Sequence, residues 1–456
     1  MTAPITATRF ETVPPLLPAG LPTAPGDGPG GGLRLLHVVS SLSDSNQLGR
    51  GTVTGSSRLP VLKHVLQRAV GMCESGFNVT LVLIAAWDAE QRRAELTDAL
   101  RGCGRPLTFG IWERAAKAKG RGREKDLPRK HRQLVRDLLP WFDVASCWED
   151  DMLLTAQHVL HFLDLSRKLE AAAEAARGSA LSAESAASNK AGRPTRSRSG
   201  APFEKAPLRA ELTPAQLLRI FPAFMRVEVL RGEVPRGGTP TDRFRERCCE
   251  PLPPPCAASV GAASLSAGPR RVNVTAGELV GWEWGANNMG VRRLPPPIGW
   301  VGVGGSHSAG WLSSFTGHGG DGDAPDCPAD RATGRRRLSC AQPYFANQGG
   351  WMATRRQVQR LHDEYCPTGF FPAPGKEADW MPASNVESLS GGVQMFGSKA
   401  CRVARIVSID EREFASHLLL HSTGNKQLTK PNKLRSASAE LGSLLALRSR
   451  AEGQQS

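Results

Sequence analysis

Four short apolar runs, separated by stretches of a different periodicity, constrain this chain more than any other feature. They are "LRLLHVVSS" (33–41), "NVTLVLIAAW" (78–87), "PLTFGIW" (106–112) and "FDVASCW" (142–148). The second is apolar at nearly every position, so it predicts a central strand covered on both faces. Between the first two runs, Leu62, Val65, Leu66, Ala69 and Cys73 recur at helical spacing, with Pro60 at the start and Gly76 at the end. Asp88 and Gln91 form a capping-box pair for a helix running to about Arg101. His131, Leu134, Val135, Leu138 and Leu139 share one face of a third helix, and Thr155 caps a fourth, "AQHVLHFLDLSRKLE". Strand and helix alternate three times. That pattern predicts an α/β fold whose mostly parallel central sheet carries helices on both faces.

In such sheets ligands bind at the carboxyl ends of the strands. The fourth run leads straight into Glu149, Asp150 and Asp151, three consecutive carboxylates at such an end. Adjacent negative charges repel, so either they lie in a solvated turn or something positive sits among them. Paired oxygen ligands at a strand end suit Mg²⁺ or Mn²⁺, which keep coordination positions open for substrate phosphates. The phosphate-cradling pattern GxxxxGK[ST] does not occur in the chain.

The second half is more broken. Residues 171–211 read as a helix extension followed by a disordered Pro/Arg-rich stretch, and residues 212–230 as a helix turning into a strand. Residues 232–277 and 304–338 read as long surface insertions, with short strands in "GELVGWEWGANN" and "PPPIGWVGV" between them. "PYFANQGGWMATRRQVQRLHDEYC" (343–366) predicts a strand or turn, a glycine pair and a helix. Residues 1–32, rich in Pro, Gly and Thr, read as a disordered lead-in, 33–427 as one domain, and 428–456 as a tail.

The net charge of +15 fits acidic partners, but it is concentrated in runs such as 129–132, 193–200 and 333–340, which read as solvated segments. Aromatic residues, at 6%, do not interleave with those runs, so nucleic acid is not an expected partner. The ten cysteines show no zinc spacing and admit either a few disulfides or a reduced state. The sequon at Asn78 opens a strand expected to be buried, where a glycan would not fit; a second lies at Asn273. No signal peptide and no apolar run of about 18 residues is evident, which predicts a chain without a membrane span.

"FDVASCWEDDM" resembles the metal-binding motif of GT-A-type glycosyltransferases, whose DxD signature takes the form EDD in the N-acetylglucosaminyltransferase I type. The layout is similar over 33–166, 279–303 and 341–427. The resemblance implies a single Rossmann-like GT-A domain using a nucleotide-sugar donor, with Mn²⁺ or Mg²⁺ as cofactor and a hydroxyl of a glycan, protein or small molecule as acceptor. It implies that Asp151 ligates the metal, and that Glu149 and Asp150 contact the ribose or reach the metal through water. His421 is the matching late histidine ligand. His417 and His421 would share a face on a helix. Lys426, next to Asn425, would reach the diphosphate. Asp379 in "ADWM" is the favoured general base and Glu387 its rival. Gly349 and Gly350 would allow close backbone approach beneath the sugar or acceptor, and Trp351 reads as a core residue. Such relatives work in the Golgi or secretory lumen, whereas the absence of an anchor leaves the cytoplasm open. The alternative on the same scaffold is a non-catalytic protein whose basic insertions contact polyanions.

Overall fold

The computed structural model describes residues 9–13, 31–41, 59–85, 87–113, 127–190, 212–229, 279–282, 289–304, 350–366, 370–371, 403–422 and 434–453. The apolar runs form strands β2 (Arg34–Ser41), β3 (Asn78–Ala85), β4 (Leu107–Glu113) and β5 (Val144–Glu149). They are mutually parallel in the order β4-β3-β2-β5. Antiparallel strands β1 (Arg9–Val13) and β12 (Gly350–Thr354) close the two edges.

Alternation along each strand divides the apolar side chains between the two faces. Leu35 and Val39 of β2, with Leu81 and Leu83 of β3, pack against helix α1 (Leu59–Glu74) and the start of α4 (Ala156–Lys190) through Leu62, Leu66, Val159 and Phe162. Leu36, Val38, Val82 and Ile84 face the other way, onto Leu134 and Val135 of α3 (Leu127–Leu138) and onto Trp351 and Phe370. The protein is therefore a mixed α/β structure with a mostly parallel main sheet covered on both faces. Each fully buried leucine of this kind contributes about 1.5–3 kcal/mol relative to exposure.

The second half builds two further sheets where a single central sheet was expected. One has the order β10-β11-β13-β7, formed by Met289–Leu294, Gly299–Gly304, Ala404–Ser408 and Ile220–Pro222 in that order. The other has the order β15-β9-β8-β14-β6, formed by Leu434–Ser436, Leu279–Trp282, Met225–Val229, Leu418–His421 and Met152–Leu153. The chain leaves the main sheet at Glu149, turns at Asp150 and Asp151, and enters this third sheet at Met152.

Several expectations need correction. Residues 9–13 of the supposed lead-in pair with β4, because an open sheet edge offers unpaired N–H and C=O groups to any short extended segment. The supposed tail forms β15 and a helix, α8 (Ala437–Gly453), whose Ala437, Leu441 and Leu444 join an apolar cluster with Val407 and Phe414. Arg132, read as part of a solvated run, is buried: its guanidinium lies 4.3 Å from the Phe370 ring centroid, and its Nη1 donates to the Phe370 carbonyl at 3.2 Å; His131 is buried with the helix face on which its spacing placed it. Asn78 is exposed at the entrance to β3, and its amide donates to the Gly32 carbonyl at 2.8 Å. Cys73 and Cys103 form a disulfide that ties the end of α1 to the segment before β4, and Cys366 is also disulfide-bonded. No helix among the described residues is long and apolar enough to cross a membrane.

Candidate functional site

The acidic turn sits beside the point where strand order reverses between β2 and β5, the position at which open parallel sheets leave a crevice. Its three carboxylates diverge. Glu149, at the end of β5, has its Oε2 4.0 Å from Nη1 of Arg226. Asp150 is buried and turns towards β2: its Oδ2 accepts from Ser41 Oγ at 2.6 Å, and Ser41 Oγ accepts from Trp87 Nε1 at 2.9 Å. Asp151 turns the other way, into the third sheet.

There, strand pairing assembles the rest of the cluster. Strand β6 begins at Met152, directly after Asp151, and pairs antiparallel with β14 so that Met152 lies opposite His421. On its other edge β14 runs parallel to β8, which carries Arg226 and Glu228. Asp151 Oδ2 lies 2.9 Å from His421 Nε2, and Glu228 Oε1 lies 3.0 Å from Nδ1 of the same ring. Ser422 fixes the turn by donating its N–H to the Asp151 carbonyl at 2.8 Å and its Oγ–H at 3.0 Å. Nη2 of Arg226 contacts His421 Nε2 as well. The side chains of Asp151, His421 and Glu228 are 8%, 2% and 6% exposed, so the cluster is almost dry and its charges are weakly screened. Something positive does sit among the carboxylates in this fold: the guanidinium of Arg226.

The donor set suits a hard divalent cation in one respect. Two octahedral ligands at about 2.1 Å on adjacent corners stand about 3.0 Å apart. The Asp151 oxygen and the His421 nitrogen have that spacing, at 2.9 Å. Glu228, 3.0 Å from the far nitrogen, has the position of the carboxylate that orients an imidazole in metal sites generally. Among the described residues, no third carboxylate, thiol or imidazole converges with these two into a complete shell. Any further positions would fall to water and substrate oxygens.

The sequence pointed to Asp151 and His421 together, and the structure makes them neighbours across 270 residues. It does not put His417 and His421 on one helix. His417 ends a 3₁₀ turn and His421 ends β14, because the segment pairs with β6 and β8 on both edges. His417 is structural: it accepts from the Ser408 N–H at 2.8 Å, lies 2.9 Å from His161, and is pushed by burial down to about 3. Gly350 lies opposite Trp148 in the β12–β5 pair, and a Cβ there would overlap the Cys147 carbonyl oxygen and come within 2.6 Å of the Trp148 ring. The close approach that this glycine allows is therefore made by its neighbouring strand. Trp351 is a core residue, edge-on to Phe370 at 5.4 Å. Asp379, Glu387, Gly349, Asn425 and Lys426 lie outside the described residues, as do 114–126, 193–200, 333–340 and the sequon at Asn273.

Sequence reasoning missed Arg226 and Glu228. Their signal was the alternation in "MRVEV", where opposite charges share one face of a strand whose other face is apolar. It missed Ser41 and Trp87 because Ser41 draws its meaning only from the Asp150 carboxylate it donates to, and Trp87 only from Ser41. No protein-family model matches the chain, and no curated protein or solved structure matches it either.

Proposed function

We propose that this chain is a Rossmann-like GT-A glycosyltransferase that moves a sugar from a nucleotide-diphosphate donor to an acceptor hydroxyl, with Mn²⁺ or Mg²⁺ as cofactor. The observation that carries the reading is the Asp151–His421–Glu228 arrangement, set where the acidic turn leaves the carboxyl end of the parallel sheet. In this reading Glu228 accepts the Nδ1–H of His421 and so turns the Nε2 lone pair towards the cation, and Asp151 presents its Oδ2 to the same ion. A bound divalent ion would neutralise the charge that develops on the departing diphosphate. Asp150, tied to Ser41 beside Trp87, lies where β2 ends and would face the nucleoside. In the reaction the acceptor oxygen forms a bond to the anomeric carbon, the bond from that carbon to the phosphate oxygen breaks, and a carboxylate takes the hydroxyl proton in an inverting transfer. Asp379 is the residue proposed for that proton, with Glu387 as its rival.

Calorimetric titration of UDP and GDP, with and without Mn²⁺, tests the reading on the wild type and on Asp151→Ala. Metal-dependent binding of one nucleotide, lost in the variant, supports it. Binding of neither nucleotide by a folded protein refutes it. One observation favours the second reading, a non-catalytic protein on this scaffold: Arg226 already supplies positive charge to the acidic cluster. That reading predicts polyanion binding that weakens steeply with salt and is indifferent to Mn²⁺.

A further inference from the structure

The cation that the acidic turn was expected to need is matched in the fold by a side chain of the chain itself. Arg226 reaches from β8 across to β14, touches through Nη2 the nitrogen of His421 that faces Asp151, and has Glu149 Oε2 4.0 Å from its Nη1. Its side chain is only 11% exposed, so it is not a surface arginine swept into the cluster by its length. A guanidinium carries its charge at every physiological pH and cannot relinquish it by losing a proton. Arg226 and a divalent ion would therefore claim the same nitrogen lone pair and the same acidic field.

We infer that Arg226 is a built-in competitor of the divalent cation, so that metal loading at Asp151 and His421 is an exchange in which the guanidinium leaves Nε2. The inference rests on the metal-binding reading given above and adds to it a regulatory residue which that reading does not require. Two consequences follow from the charges. The affinity for Mn²⁺ alone is held down, because even at the dielectric of water a unit positive charge about 5 Å from a divalent ion weakens its binding about tenfold. A diphosphate, which attracts guanidinium groups through paired N–H donors, would draw Arg226 away from the histidine and so favour metal entry.

The test is titration of the protein with Mn²⁺ alone, reading free Mn²⁺ by its electron paramagnetic resonance signal. The proteins compared are the wild type, Arg226→Met, Arg226→Gln, Arg226→Lys and Asp151→Asn. Competition predicts that the two neutral variants bind Mn²⁺ at least tenfold more tightly than wild type. Arg226→Lys, which keeps the charge, should stay within about threefold of wild type, and Asp151→Asn should lose binding. The methionine and glutamine variants differ in polarity, so a folding defect in one leaves the other to decide. Equal or weaker Mn²⁺ binding in the neutral variants, with Asp151→Asn still abolishing it, overturns the competition and leaves the metal site standing. Tightening of the lysine variant by the same factor as the neutral ones also overturns it, since charge would then not be the cause. No Mn²⁺ binding by any of the proteins overturns both this inference and the metal-dependent reading beneath it.

Discussion

Lowering the pH from 7 to 5.5 should cost this protein a large share of its folding free energy, through histidines that have nothing to do with the acidic cluster. His37 in β2, His131 in α3 and His417 beside β13 are each at most 2% exposed. Burial holds their rings down to about 4, about 3 and about 3 respectively, against an ordinary value of 6.5. All three stay neutral in the fold throughout this window, whereas the unfolded chain takes up a proton on each as the pH falls through 6.5. The unfolded state therefore binds more protons, and stability falls with falling pH. Each ring contributes a loss of about 1.3 kcal/mol between pH 7 and 5.5, so the three together lose about 4 kcal/mol, about a quarter or more of the margin of a typical domain. Asp143, whose carboxyl is held below its usual 3.8 by hydrogen bonds from Arg34, keeps its contribution above that value and does not offset the loss. Urea unfolding at closely spaced pH values measures the slope. His131→Phe makes the cleanest comparison, because Nε2 of that ring has no hydrogen-bond partner among the described residues. It should remove about 1.3 kcal/mol of the loss between pH 7 and 5.5, about a quarter or less of the whole, because His158, held by burial down to about 4, adds its own share to that of the three. A midpoint that does not move between pH 7 and 5.5, or an unchanged slope in His131→Phe, would show that these rings are not buried neutral.

Gly350→Ala should destabilise the protein by about 3 kcal/mol or more, since the new methyl meets a backbone carbonyl that cannot swing aside; the urea midpoint checks this. Replacing Cys73 and Cys103 together by serine opens a link across 30 residues and should cost about 3–4 kcal/mol by chain entropy, seen as a lower melting temperature insensitive to reductant at this link. Leu444→Ala should cost about 2–5 kcal/mol, because Leu444 is fully buried and packs over Gly302; a loss under 0.5 kcal/mol would mean that the terminal helix is not part of the core. Glu228→Gln should weaken Mn²⁺ binding about 10–100-fold while leaving the melting temperature within a few degrees, because it disturbs the group that orients His421.

Much of the main sheet was legible in the chain alone. Runs such as 78–85 are apolar on both faces, and only a central strand between helices can bury them. The amphipathic spacing in 62–73 leaves one face for the sheet, so the alternation and the mostly parallel pairing follow from local pattern and burial, while the strand order does not. Asp151 was legible too, as a carboxylate closing a buried strand. Asp151, His421, Arg226 and Glu228 became a cluster only in three dimensions. Each lies on or beside a short strand of two to five residues, and the strands meet through pairings across 193–270 residues. No local periodicity encodes that distance, because hydrogen-bonded pairing between strands is specified by the whole sheet and not by the segment. For the same reason β1 and α8 looked like ends of the chain: their sequences are weak alone, and only a sheet edge and an apolar cluster waiting elsewhere give them a structure. Composition counted the basic residues but could not say that Arg132 lies under Phe370 or that Arg226 stands among carboxylates. Charge is a property of the residue, whereas what it neutralises depends on which strands the fold brings side by side.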